Sequence, residues 1–381
     1  MTSVTTDMII DSSYDTFDLK FNIDTSNQQY DQGFHFDKEA VKKASAEIKG
    51  RLRQNGYKGL VNDNYYKGVG AVVESNWSLD HKLQAANLNW SVDTSILRYG
   101  DKLQFFDTNN QAVYRSDTGT LFSVTSDTWT PFQNVDVVHA FDEFCNSAGI
   151  EMERLGHLRE GRLVFASAVV NESWAVMDTD DIIAARLLLT NSHEYGKGLT
   201  VKLNAIRLVC CNGITRKVSI GQRSLSHTNG FSKTAVQAIL ESSKQNFVDL
   251  GLLIDKLAQT QVNNREAREI LVETLGDRNE QGNLVAYDDQ NRLVQSSFTA
   301  FANHTSIGAH YETSRGTAWE LLNCVTEQIN HHSRSAGETH MNSMWNGGKA
   351  RIESKMVNAL ALAYVSPSRN KQAQTVGVSA F

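Results

Sequence analysis

The chain has 381 residues, 40% of them hydrophobic and 21% charged, with a formal net charge of −6, values that suit a globular protein of two domains or one elaborated domain. No run of about 18 apolar residues is present to make a transmembrane helix, and the first twenty residues lack the basic-then-apolar order of a secretory signal, so no membrane contact and a cytoplasmic location are expected. The four cysteines (Cys145, Cys210, Cys211 and Cys324) have no CxxC spacing, which argues for reduced thiols rather than a disulfide framework or a thiolate metal site.

Residues 1–35 are polar, carry Asp7, Asp11, Asp15, Asp18, Asp24 and Asp31, and show no sustained period, so they read as a flexible arm. In 36–77, Asp37 suits an N-cap, Ala40, Ala44 and Ile48 follow at helical spacing and Gly56 ends the run. "GVGAVVESN" (68–76) then reads as a strand. A helix is expected from 78, running into an extended segment by 92. The stretch 98–130 alternates strand-like runs with the turn clusters "DTNN" and "SDTGT", the pattern of a small β-meander. "VDVVHAFDEFCNSAG" (135–149) places Val137, Val138, Phe141 and Phe144 on one helical face and stops at Gly149.

Three further strands are expected at 161–170, 183–191 and 199–210, the last two joined by a turn containing Gly196 and Gly198. After a polar linker, the run 230–261 repeats Val236, Ile239, Leu240, Phe247, Leu250, Leu253, Ile254 and Leu257 at helical spacing. The expected fold is therefore α+β: an antiparallel sheet with a central β-hairpin, backed by a long amphipathic helix that buries one sheet face and leaves the other open. This core spans 78–275. A polar loop (276–296), a helical region (297–365, with helices at 315–332 and 348–364) and a frayed tail (366–381) complete the chain.

"LLLTNSHEYGKGLTVKLNAIRLVCCNGI", with "YRSDTGTLFSVTSDTWTPFQN" and "LGHLREGRLVFASA" before it and "GTAWELLNCVTEQINHH" after it, resembles the phage/plasmid-like proteins grouped as domain of unknown function 932. The resemblance covers roughly 78–365 and implies a phage or plasmid setting. It assigns no activity, so function is read from the residues.

Positions 195–240 hold Lys197, Lys202, Arg207, Arg216, Lys217, Arg223 and Lys233 and no acidic residue, which leaves −13 for the remainder of the chain. Charge segregated in this way suits a phosphate-facing surface; the competing reading is that these cations pair with carboxylates from elsewhere in the fold. On a strand, Leu199, Val201, Leu203 and Ala205 would face the core. A bulge near 205–206 would then place Lys202 and Arg207 together on an exposed face. Continued by Arg216, Lys217 and Arg223, that face forms a track for single-stranded DNA, with Tyr195 and Phe231 the nearest aromatics. The order of three strands and a helix is similar to single-strand annealing proteins of the Red-beta and Rad type, an analogy of fold that implies a homo-oligomeric ring or filament and strand annealing.

Catalytic chemistry ranks lower. "NSH" (Asn191, Ser192, His193) and "CCN" (Cys210, Cys211, Asn212) supply an imidazole and a thiol, but the hairpin separates His193 and Cys210 by roughly 36 Å. His193 then reads as a turn residue. His304, His310, His331, His332 and His340 lack a metal-ligand spacing, and His331 and His332 suit a helix C-terminus. No phosphate-binding loop is present, so no cofactor, metal or catalytic residue is expected. Trp319 sits at core spacing with Leu322 and Val325. Two alternatives stay open: a factor that binds a host protein through the acidic remainder, and a histidine-dependent enzyme.

Overall fold

The computed structural model describes residues 52–54, 65–101, 104–208, 212–218, 225–229, 232–235, 238, 243–284 and 291–365. The expected arm (1–35), most of the expected 37–56 helix, Cys210, Cys211 and the tail lie outside them. Within that expected helix, Leu52–Gln54 is a strand (β1).

Five consecutive strands form an antiparallel meander: β6 (Glu151–Leu158), β7 (Leu163–Ala175), β8 (Ile182–Ser192), β9 (Leu199–Arg207) and β10 (Asn212–Val218). β2 (Ala71–Val72) extends the sheet beyond β6, and β1 pairs with the far end of β7. β10 occupies a stretch expected to be polar linker; its Ile214, Thr215 and Val218 are β-branched and favour the extended chain. The β6–β7 turn needs left-handed backbone at Arg159, Glu160 and Gly161 (φ 56°, 62° and 104°). Only glycine fits the last position, since a Cβ there would lie 2.8 Å from the Trp90 ring.

β8 and β9 pair without a break from Asn191↔Leu199 to Ile183↔Arg207. Alternation then sorts their residues cleanly. One face carries Leu187, Leu189, Leu199, Val201, Leu203 and Ala205, and the other Arg186, Leu188, Thr190, Thr200, Lys202 and Asn204. Every residue of β8, and all of β9 but Thr200, is buried. The expected open face is therefore covered. On the apolar side, Trp174 lies in register with Ile183, and Gly251 of helix α3 (Ser243–Gln259) packs directly on its indole. On the polar side, Gly70 and Gly156 approach the Phe165 ring so closely that a Cβ at Gly70 would sit 2.6 Å from it.

A second sheet of three strands, β3 (Val92–Asp101), β4 (Gln104–Arg115) and β5 (Leu121–Ser126), bears out the expected small meander. Helix α1 (Leu79–Ala85) precedes it, capped by the Ser78 side chain. Helix α2 (Asn134–Ala148) follows, ends at left-handed Gly149 (φ 65°) and packs on β6 and β7.

The described chain divides into two compact units, one holding 52–252 and 334–342, the other 253–333 and 343–365. The division falls inside α3, not at the polar 276–296 stretch. The second unit packs α4 (Asn264–Leu275), α5 (Arg292–Ala302), α6 (Ala318–His331) and α8 (Gly348–Tyr364) against one another. Asn263 and Glu266 form a reciprocal capping box on α4, and Asn291 and Thr317 cap α5 and α6. α5 begins inside the expected loop, and α7 (Gly337–Asn346) fills the expected connector. Trp319 is buried, as its spacing predicts. The fold is mixed α+β with C-terminal helices.

Candidate nucleic-acid interface

The carboxylate-free stretch does not form one exposed basic face. Unbroken register places Lys202 and Arg207 on opposite sides of the sheet, and no bulge interrupts β9 at 205–206. Both are buried, at 9% and 2% exposure. Arg207 meets Asp181, itself fully buried, in a closed bidentate pair, Nε to Oδ1 and Nη2 to Oδ2, each 2.7 Å. A guanidinium so engaged has no face to offer a phosphate. Lys197 is 46% exposed beyond the end of β8, where Glu194 accepts from it at 2.8 Å and takes a bidentate pair from Arg159 at 2.7 Å. Burial alone would raise the Glu194 carboxyl, but these two cations outweigh it and hold it below the usual range. Lys233 pairs with Glu143. Arg216 and Lys217 stand on β10 opposite Leu203 and Lys202, described at the backbone only, and Arg223 lies outside the described residues.

Aromatic surface lies elsewhere, on a hairpin whose stacking residues sequence reasoning passed over. Along most of β3 and the first half of β4, successive side chains are exposed whichever way they point. The sheet base is anchored by buried Val92, Val113 and Phe122, and the described residues towards the far end of the hairpin are exposed. Tyr99 (64% exposed), Phe105 (62%) and Phe106 (54%) stand there; Tyr99 and Phe106 are cross-strand partners with ring centroids 5.5 Å apart. Arg98 is opposite Asp107, joined at 2.7 Å with both side chains exposed. The available signal was the tip "RYGDKLQFFD", where three aromatics crowd a turn of a strand pair too polar to make a core.

His193 is not a turn residue. It is fully buried, stacked on Phe122 (centroids 5.5 Å, planes 15° apart) and edge-on to Trp90 at 5.9 Å. Its Nε2 lies 3.2 Å from Asn134 Oδ1, an acceptor, so Nε2 carries the proton; Nδ1 has no partner. Burial, with His227 nearby, pushes its pKa down to about 3. His227, 6.4 Å away between ring centroids, donates from Nε2 to Ser192 O at 2.8 Å and accepts the Phe132 N–H at Nδ1. Burial lowers its pKa also. The two neutral rings tie the end of β8 to the segment 130–134. They are packing, and no described nucleophile stands beside them.

The late histidines are dispersed. His304 donates from Nδ1 to buried Glu320 at 2.9 Å; His331 ends α6 and His332 caps it, as expected of a helix terminus. No three histidine, cysteine or carboxylate side chains converge to hold a metal among the described residues.

The sequence profile described as "Domain of unknown function (DUF932)" matches residues 121–374, two thirds of the chain. The chain belongs to that family. The DUF932 match begins at the first residue of β5, so the family region takes in the five-strand meander and the helical unit while the β3–β4 hairpin precedes it. No curated protein and no solved structure matches the chain.

Proposed function

We propose that this protein binds single-stranded DNA and promotes strand annealing as a homo-oligomer, with bases stacking on the β3–β4 hairpin. The observation that carries this reading is the exposed set Tyr99, Phe105 and Phe106 on a two-stranded ribbon. Exposed rings on a soluble protein cost solvation, and a ribbon edge offers every base a π-face without reading its sequence. Arg98 adds a cation. Its exposed pair with Asp107 is of the kind worth at most about 1 kcal/mol, so it can trade that carboxylate for a phosphate at little loss. Further backbone charge is assigned to Lys197, Arg216, Lys217 and Arg223; Lys202 and Arg207 are withdrawn from the interface because they are buried.

The test is fluorescence anisotropy of labelled oligo-dT, duplex DNA and RNA over a salt series, with particle size read on the same samples. Single-strand binding that weakens with salt is expected. Tyr99→Ala with Phe106→Ala is expected to weaken it by about tenfold or more, since each stacked base is worth about 1–3 kcal/mol. Equal binding by the folded double variant would refute the hairpin as the platform.

A further inference from the structure

A cleft of about 490 Å³ opens in the helical unit, bounded by α5, by Thr305 just beyond its end and by the end of α6. Arg292, Ser296 and Thr299 face it from α5. Spaced by four and then three residues, they form one line along the helix, about 10 Å long at about 1.5 Å per residue. Gln328 faces the cleft from α6, and His332 from the cap of that helix. Among the described lining residues only Ala300 is apolar, so the wall suits a ligand that forms hydrogen bonds rather than a hydrocarbon. The volume is in the range of small-molecule sites.

Much of this polar wall is not spent on the fold. Ser296 Oγ donates to Arg292 O at 2.7 Å and keeps its lone pairs. The Arg292 guanidinium, the Thr299 and Thr305 hydroxyls and the Gln328 amide bond to none of the described residues. Arg292, Thr299 and Thr305 are exposed and Gln328 is half-buried, so a ligand in the cleft can reach all four. Glu327, the one carboxylate among the described lining residues, is taken up instead. It is 6% exposed, its Oε2 accepts the Ile307 N–H at 2.8 Å, and its Oε1 lies 3.5 Å from His332 Nε2.

We infer that this cleft binds a small polyhydroxylated carboxylate, a sugar acid, with its carboxylate forked on the Arg292 guanidinium and its hydroxyls laid along Ser296, Thr299, Thr305 and Gln328. A guanidinium matches a carboxylate through two parallel N–H···O bonds, and hydroxyl and amide groups that both donate and accept match a polyol. The line along α5 is one that a six-carbon chain can follow. A single negative charge is favoured over the double charge of a phosphate monoester, because Glu327 stands in the same wall and Arg292 is the one lysine or arginine among the described lining residues. The inference is independent of DNA binding.

Titration calorimetry of the full chain at fixed ionic strength tests it, with D-gluconate as the probe and sorbitol, hexanoate and glucose 6-phosphate as comparisons. Saturable gluconate binding at least about tenfold tighter than that of any comparison is expected. Arg292→Met, which keeps the reach and loses the fork, is expected to weaken it by about tenfold or more, and Thr299→Val, which removes one hydroxyl, by about threefold to tenfold. Both positions are exposed, and an unchanged urea midpoint verifies the fold of each variant; should one variant lose its fold, the other decides. No saturable heat, a comparison compound bound as tightly as gluconate, or full affinity in either folded variant would each overturn the inference.

Discussion

Lowering the pH from 7.5 to 5 is expected to destabilise the sheet unit through His193. In the unfolded chain its imidazole takes up a proton near pH 6.5, whereas in the folded protein burial against Phe122 and Trp90 holds it neutral down to about pH 3. Below 6.5 the unfolded state therefore binds one more proton than the folded state, and stability falls as pH falls through that window. The contribution is fully present above pH 7, is reduced by about 2 kcal/mol at pH 5 and by about 4 kcal/mol at pH 3. His227, also depressed by burial, adds a loss of the same sign. Urea unfolding followed by the fluorescence of the six tryptophans, four of them in the sheet unit, gives the slope between pH 7.5 and 5. In that window most carboxylates are ionised in both states, so histidines dominate. His193→Phe keeps the ring stack but cannot titrate. Its folded state leaves Asn134 Oδ1 without a donor, a cost of about 1–3 kcal/mol at neutral pH, yet its stability should fall less steeply with acid. A variant with the wild-type pH slope would refute the assignment of a neutral buried imidazole.

Two perturbations probe the sheet directly. Arg207→Ala takes the bidentate donor from the Asp181 carboxylate, which is fully buried, and should destabilise by about 3–5 kcal/mol, read as a lower urea midpoint at unchanged slope; a change below about 1 kcal/mol would refute the pair as a buried, stabilising contact. Gly251→Ala drives a methyl into the Trp174 indole and should cost about 1–3 kcal/mol with a shift in tryptophan emission, whereas a neutral outcome would mean that α3 stands off the sheet.

Elements with a strong period were legible in the sequence. α2 carries Val137, Val138, Phe141 and Phe144 on one face and ends at Gly149 in the left-handed conformation, and the β8–β9 hairpin follows from two apolar runs joined by a glycine-bearing turn. What was not legible depended on partners remote in sequence. The run 199–207 reads as a half-exposed strand because Thr200, Lys202 and Asn204 alternate with apolar residues. Nothing within it announces that the polar side is buried too. Arg207 belongs to Asp181, 26 positions earlier, and Arg186 to Glu153, 33 positions earlier; charge composition counts such cations as surface. His193 illustrates the same limit: a histidine at the end of a strand reads as turn, and its burial is set by Trp90, Phe122 and Asn134, which reach it from three other segments.

Two of the buried arginines of the sheet, Arg207 and Arg186, use their charge differently. Arg207 and Asp181 satisfy each other with two parallel 2.7 Å bonds. This fork fixes the end of β9 against the turn before β8. Arg186 and Glu153 touch through one bond of 3.0 Å, leaving Nη2 and Oε2 idle, and across β9 the Asn204 side chain, directly opposite Arg186, is likewise buried with neither amide atom partnered. Closing the fork would have stabilised this second pair, since a half-satisfied buried network is worse than an apolar core. Tyr66 Oη and Ser167 Oγ instead crowd Glu153 Oε1, and Oε2 is left without a donor. Tyr66 reinforces the point: burial and the neighbouring carboxylate push its phenol well above the ordinary value, so it stays a neutral donor that holds Oε1 over the whole working pH range. Of the strand cations that suggested a DNA-facing surface, Lys202 and Arg207 are thus both buried within the fold.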